Sequence, residues 1–248
     1  MTVAVDLVVP IKELRRAKSR LVGATVDLVP APQRSAAHAD LALALAADTL
    51  AAVLASAVRR VALVTADPRA AALVRPARAG EDGCRGPRAV VVDDPGAGLN
   101  AAVRAGVEHL RGVPDDPAEH ADRGRAPVAA LLGDLPALRP AELDEALAAA
   151  LAVIADGAPA AYVADHTGEG TTLLVLTRPG DGGPHFGPHS AGAHAAAGAV
   201  ALPGTWPGLR HDVDVPADLE RVRALGVGPA TRAWPDVAVP AAPLAGCR

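Results

Sequence analysis

The apolar positions of this chain fall into two kinds of run: short ones with no polar interruption, and longer ones rich in Ala and Leu. Short uninterrupted runs suit strands of a parallel sheet covered on both faces, whereas runs of ten or more suit helices. Residues 3–9, 61–65, 89–92, 160–164 and 173–176 read as strands, with a short one from Val200. Residues 34–57, 68–74, 99–110 and 142–155 read as helices, and Pro216 opens a last one, since proline suits a helix's first turn. Val128-Ala-Ala-Leu-Leu, stopping at Gly133-Asp134 and turning at Pro136, is the central strand. Strand and helix alternate, which predicts an α/β domain with a mostly parallel sheet. Residues 76–88 and 113–125 are Pro/Gly-rich or polar and read as surface loops. The domain is expected to span residues 1–228, with residues 229–248 a Pro/Ala-rich tail draped on its surface.

Composition narrows the function. At 248 residues the chain can close one good core, which must be built from Ala, Val and Leu because only one Phe and one Tyr occur. The net charge of −4 implies no basic face for nucleic acid, so any phosphate ligand must be met locally. Cys84 and Cys247 form neither a metal cluster nor a disulfide framework, which fits a reducing cytosol. The first residues lack the basic and apolar regions of a signal peptide. In the apolar run 41–58, Asp48 and Thr49 argue for a buried helix and against a membrane span.

Candidate chemistry clusters at strand ends. In an open α/β sheet ligands bind beyond the carboxyl ends of strands, which puts Asp134 on the rim of a site. Asp212-Val-Asp214 lies in a loop-like stretch before Pro216. One strand-end carboxylate plus a D-x-D suits a hard divalent cation, Mg2+ by preference, held against phosphates. The plainer alternative makes Asp134 a turn residue and Asp214 a helix cap. Both lysines of the chain, Lys12 and Lys18, follow the first strand, where they and backbone N–H groups could receive a triphosphate; a solvated helix face is the alternative. Gly98 and Asn100 open a helix after a Gly-rich turn, a layout that suits phosphate or base contacts, though its spacing is not the dinucleotide one. Gly168 and Gly170 would let backbone N–H groups approach an anion, with Thr171 and Thr172 adding hydroxyls; a plain hairpin needs such glycines too. His185, His189 and His194 suggest zinc, but their spacing matches no zinc pattern, and Gly187 and Ser190 look suited to a carboxylate or phosphate.

Taken in order, these pieces resemble the guanylyltransferases of deazaflavin coenzyme F420 biosynthesis, which act on phosphoenolpyruvate or 2-phospho-L-lactate. The matching segments are Val9-Pro-Ile-Lys12 with Ala17-Lys-Ser-Arg-Leu21, Gly98-Leu-Asn100, Gly133-Asp-Leu-Pro136, Asp165 to Thr172, Phe186-Gly-Pro-His-Ser190 with His194, and Asp212-Val-Asp-Val-Pro-Ala-Asp-Leu219. The resemblance implies a Rossmann-like three-layer α/β/α nucleotidyltransferase fold. It also implies GMP transfer from GTP to a three-carbon phosphoacid, phosphoenolpyruvate in preference to 2-phospho-L-lactate, with release of pyrophosphate. By position it assigns Asp134 and Asp212 to the metal, Thr171, Gly187 and Ser190 to the phosphoacid, and Pro10, Lys12, Lys18, Gly98 and Asn100 to the nucleotide. Lys12, Lys18 and Arg20 would carry the triphosphate. Glu169 departs from the pattern, standing where Thr is common and adding a negative charge beside an anionic substrate. A downstream transferase that takes over the unstable product is an expected partner, and the oligomeric state stays open. A metal-dependent glycosyltransferase and a non-catalytic nucleotide-binding regulator are the other classes considered. The former usually carries D-x-D on a mid-chain strand, and the latter has little reason to keep both acids and lysines.

Overall fold

The computed structural model describes residues 5–14, 34–74, 87–112, 126–177 and 183–234. Strand β1 (Asp6–Pro10) is followed by helix α1 (Arg34–Leu54), β2 (Arg60–Val64), α2 (Pro68–Ala71), β3 (Arg88–Val92) and α3 (Leu99–Gly112). Then come β4 (Val128–Leu131), α4 (Pro140–Ala155), β5 (Ala160–Ala164), β6 (Thr171–Leu176), α5 (Ser190–Ala196), β7 (Val200–Ala201), α6 (Pro207–Arg210), α7 (Pro216–Leu225) and α8 (Pro229–Ala233). The strands form one sheet in the order β3-β2-β1-β4-β6-β5-β7. All pairings are parallel except those of β6, which runs antiparallel to β4 and β5.

Alternate residues of each strand enter opposite layers, because side chains in a strand point to opposite faces in turn. Leu7, Val9, Leu63, Leu131 and Val163 join α1 and α4 in one layer. Val8, Ala62, Val64, Ala130 and Tyr162 join α3 in the other, where Ala102, Val103, Val107 and Leu110 supply the helix's apolar face. The result is the three-layer α/β/α arrangement. Helix α1 contains the segment Ser35–Leu54, long and apolar enough to cross a membrane, yet 83% of its most apolar window is buried within the molecule.

Two anchors at the amino end of the sheet are polar. The Asp6 carboxylate is almost fully buried and accepts from Arg59 Nε (2.9 Å) and Nη2 (2.7 Å) and from Arg60 Nε (3.1 Å). Arg60 is itself buried and also donates to the Leu110 carbonyl (2.7 Å), so this charge group ties β1, β2 and α3 together.

The tail differs from expectation. Residues 229–234 do not drape on the surface: α8 packs on α1, Thr231 and Trp234 are buried, and the Asp48 carboxylate accepts from the N–H groups of Ala230 (3.0 Å) and Thr231 (2.8 Å). Pro229 at the first helical position suits this start, and Asp48 satisfies two N–H groups that a helix's first turn leaves unpaired. Residues 235–248 lie outside the described residues, as do the loops 76–86 and 113–125.

Candidate active site

The chain departs from β1 toward β2 on one side and reaches β4 on the other, so a crevice opens between the carboxyl ends of β1 and β4. Because β6 is antiparallel, its first residue, Thr171, also lies at that edge. A cleft of about 780 Å³ occupies it, lined among others by Pro10, Lys12, Asp134, Thr171, Gly187, Ser190, Asp212 and Asp214.

Each wall is held by named bonds. After β1, the Ile11 N–H donates to the Val64 carbonyl (2.9 Å) and the Leu14 N–H to Asp67 Oδ2 (3.0 Å), fixing exposed Lys12 between two anchors. Asp67 also caps α2 through the Arg69 N–H (2.9 Å). After β4, Gly133 passes so close to this loop that a Cβ there would lie 2.8 Å from Ile11 Cγ1 and 3.3 Å from the Pro10 carbonyl oxygen. Only glycine allows that approach, and the next residue is Asp134. Its neighbour Leu135 donates through its N–H to Thr49 Oγ1 (2.9 Å) on α1.

The acidic segment is brought to Asp134 by the backbone. The Val213 N–H donates to the Asp134 carbonyl (3.2 Å), while the Val213 side chain is fully buried among Leu41, Leu45 and Leu219. With Val213 turned inward, the carboxylates on either side reach the cleft. One oxygen each of Asp134, Asp212 and Asp214 lies within 4.8 Å of the others. Asp218 braces the far end, its Oδ2 accepting from the N–H groups of Asp214 and Val215 (3.0 Å each). The cap of α7 is Val215, so Asp214 is not the helix cap of the plainer reading. Upstream, the Arg210 guanidinium donates to the carbonyls of Ala164 (2.8 Å), Leu202 (2.7 Å) and Gly204 (2.9 Å). The Arg210 carbonyl accepts from the His166 N–H (2.8 Å), which joins this segment to the β5–β6 loop.

The opposite wall is built from that loop and the start of α5. Asp165 Oδ1 accepts from Thr167 N–H (3.0 Å), Thr167 Oγ1 (2.8 Å) and Glu169 N–H (3.2 Å), closing the loop on itself. Glu169 also lines the cleft, its side chain exposed and 3.6 Å from His189 Nδ1. The Glu169 carbonyl accepts from the Ala191 N–H (3.0 Å), and this sets α5 beside Thr171. Gly187 takes a positive φ of 142°, a conformation L side chains rarely adopt, at the turn that delivers Ser190.

Behind Thr171 lies His194, fully buried. His194 Nδ1 is 2.9 Å from Thr171 Oγ1, and its Nε2 accepts from the His185 N–H (2.9 Å). Its pKa is lowered from 6.5 to about 4, chiefly by burial and then by the charge of His185. The unfolded chain therefore takes up a proton in this window that the folded one refuses, and stability falls with it. The contribution is complete above pH 6.5 and is lost as pH drops toward about 4. Denaturant titrations across that range are expected to show a steeper loss for the wild type than for His194→Asn; parallel curves would refute this.

The structure thus brings together Pro10, Lys12, Asp134, Asp212, Thr171, Gly187 and Ser190. Lys18 and Arg20 lie outside the described residues. Gly98 and Asn100 do not line the cleft, though Leu99 between them does. Asn100 is a clamp, donating from Nδ2 to the Phe186 carbonyl (2.9 Å) and accepting the Phe186 N–H at Oδ1 (2.8 Å). Thr172 is buried on the other side of β6, its hydroxyl directed at the Val163 carbonyl (3.5 Å), because adjacent strand residues alternate faces. The three histidines do not gather as metal ligands; among the described residues the candidate metal group is the aspartate trio. Sequence reasoning passed over Thr49, Asp67 and Asp218 as supports. Thr49 inside an apolar helix and Asp67 before Pro68 were signals that could have found them.

Known proteins are similar to this chain over most of its length. The phosphoenolpyruvate guanylyltransferase of Geodermatophilus obscurus is 48% identical over 229 residues, 92% of each chain. That of Salinispora arenicola is 44% identical over 242 residues, 98% of each chain. The chain belongs to the phosphoenolpyruvate guanylyltransferase family. It is therefore a nucleotidyltransferase. No family model matches it. In fold, a nucleotidyl transferase from Methanothermobacter thermautotroptrophicus superposes with a TM-score of 0.50 at 19% identity, over 89% of this chain and 96% of that one.

Proposed function

We propose that this protein transfers GMP from GTP to phosphoenolpyruvate, releasing pyrophosphate, as a cytoplasmic step of coenzyme F420 biosynthesis. The observation that carries the reading is that one cleft is lined by the three clustered carboxylates, by Lys12 and by Thr171, Gly187 and Ser190.

Three hard oxygen donors, with no thiolate among them, fit magnesium, and Asp134, Asp212 and Asp214 would hold it. Bound there, the ion would offset the charge of the α-phosphate and of the departing pyrophosphate. The remaining work belongs to the chain. A phosphate oxygen of the acceptor attacks the α-phosphorus, the bond from that phosphorus to the bridging oxygen breaks, and the electron pair leaves with pyrophosphate. The acceptor is already an anion, so no protein nucleophile and no strong base are needed. Catalysis then consists of in-line positioning and charge neutralisation. Lys12, with Lys18 and Arg20, would carry the triphosphate. Thr171, Gly187 and Ser190 would seat the carboxylate and phosphate of the acceptor, and a downstream transferase would take up the product.

Phosphoenolpyruvate and 2-phospho-L-lactate share the carboxylate and phosphate and differ in the rest, a planar methylene carbon in one and a methyl on a tetrahedral centre in the other, a shape difference worth roughly 1–3 kcal/mol in an apolar pocket. Pyrophosphate release by the full chain with GTP and magnesium chloride is expected with phosphoenolpyruvate, and to be small with 2-phospho-L-lactate. A preference for phospholactate would overturn the acceptor assignment, and release with neither would overturn the reaction.

A further inference from the structure

We propose that His194 is a positioning residue that fixes the Thr171 hydroxyl as a donor to the acceptor's anionic groups. The inference rests on the acceptor reading above, and it follows from where the protons must be. The His185 N–H donates to His194 Nε2, so that nitrogen carries a lone pair. In the neutral imidazole the proton is then on Nδ1, which donates to Thr171 Oγ1 at 2.9 Å. Thr171 accepts this bond, and its own proton is directed elsewhere. The hydroxyl has no other bond among the described residues, and Thr171 lines the cleft.

The surroundings keep this arrangement. His194 is fully buried, packed edge-on against Phe186 with ring centroids 5.3 Å apart and tilted against Tyr162 at 6.0 Å. The nearest titratable ring besides Tyr162 is His185, at 5.8 Å. A charged imidazolium would have to give up the bond from the His185 N–H, which pins the segment running on to Gly187 and Ser190. The wall running on to Gly187 is also held by the Asn100 clamp on Phe186, so what the ring alone sets is the direction of the Thr171 proton.

Two substitutions separate the two bonds. An Asn amide occupies the position of Nδ1 and can still donate to Thr171, whereas a Gln amide reaches the position of Nε2 and can still accept from His185. With saturating GTP, His194→Asn is expected to keep the KM for phosphoenolpyruvate within about threefold of wild type. His194→Gln is expected to raise it about tenfold, the loss of one oriented hydrogen bond, with the KM for GTP unchanged in both. In a Thr171→Val background the Gln substitution is expected to add nothing further, since the hydroxyl it acts through is gone. Equal KM increases in Asn and Gln, or a Gln effect that persists without the hydroxyl, would overturn the proposal and leave a packing role. Long-range proton–nitrogen spectra of the wild type test it without any variant: a proton on His194 Nδ1 supports it, and a proton on Nε2 overturns it. If the wild type prefers 2-phospho-L-lactate, the acceptor reading fails alone and the same KM comparison is made with that acid. If it uses neither acceptor, this inference falls with the reading.

Discussion

Asp134→Asn and Asp212→Asn are each expected to lower turnover by about 100- to 1000-fold, the scale of losing one preorganised electrostatic contact to a transition state. Each change removes a charge at nearly constant volume from the carboxylate group whose oxygens lie within 4.8 Å of one another. The backbone bond that joins the two segments, Val213 N–H to the Asp134 carbonyl, is untouched. The fold is therefore expected to survive, and the metal-free thermal midpoint to hold or rise, because three carboxylates so close repel one another. Magnesium chloride is expected to raise the midpoint of the wild type and not that of the variants, since a ligand bound only by the folded state stabilises it in proportion to its occupancy. Near-normal turnover in either variant would remove that carboxylate from the metal site. A magnesium response unchanged in both would remove the site itself.

Asp6→Ala is expected to lower the unfolding free energy by about 3–5 kcal/mol, the usual cost of stranding a buried charge. Asp6 accepts from two arginines, and Arg60 cannot escape to water because it is buried under β1, β2 and α3 and held to the Leu110 carbonyl. For a domain of this size the loss amounts to a fall in thermal midpoint of roughly 6–20 °C. Adding Arg60→Met is expected to recover part of it, because an apolar side chain of similar length needs no partner there. Denaturant titration of the single and double variants measures both. A loss below about 1 kcal/mol for Asp6→Ala would mean that the arginines find water, and that this end of the sheet is more open than the structure shows.

Much of the scaffold was legible because local rules act strongly here. Uninterrupted Val and Ala runs allow little but buried strands, and the elements from Arg60–Val64 to Thr171–Leu176 lie within three residues of the predicted bounds. Proline misled at 229, where a Pro/Ala-rich stretch reads as an extended tail but opens a helix once Asp48, 181 residues upstream, is present to cap it. Among the site residues, Asp134 and the D-x-D were legible because carboxylates at a strand end and around an inward Val have few structural uses. The bonds from Asn100 to the Phe186 backbone were not legible, since a Gly-rich turn at a helix start does not announce a partner 86 residues away.

By itself the sequence determined the α/β alternation, the central strand with Asp134 just beyond its end, the acidic segment at 212–214 and, through the ordered motifs, the family. Only the tertiary structure decided that β6 runs antiparallel, which carries Thr171 to the same edge as Asp134. It alone decided that Asp214 joins the other two carboxylates, and that His194 stands behind Thr171. Each of these depends on pairings between segments far apart in the chain. Periodicity and spacing report which face of an element is buried, but not which distant backbone N–H will bond to it.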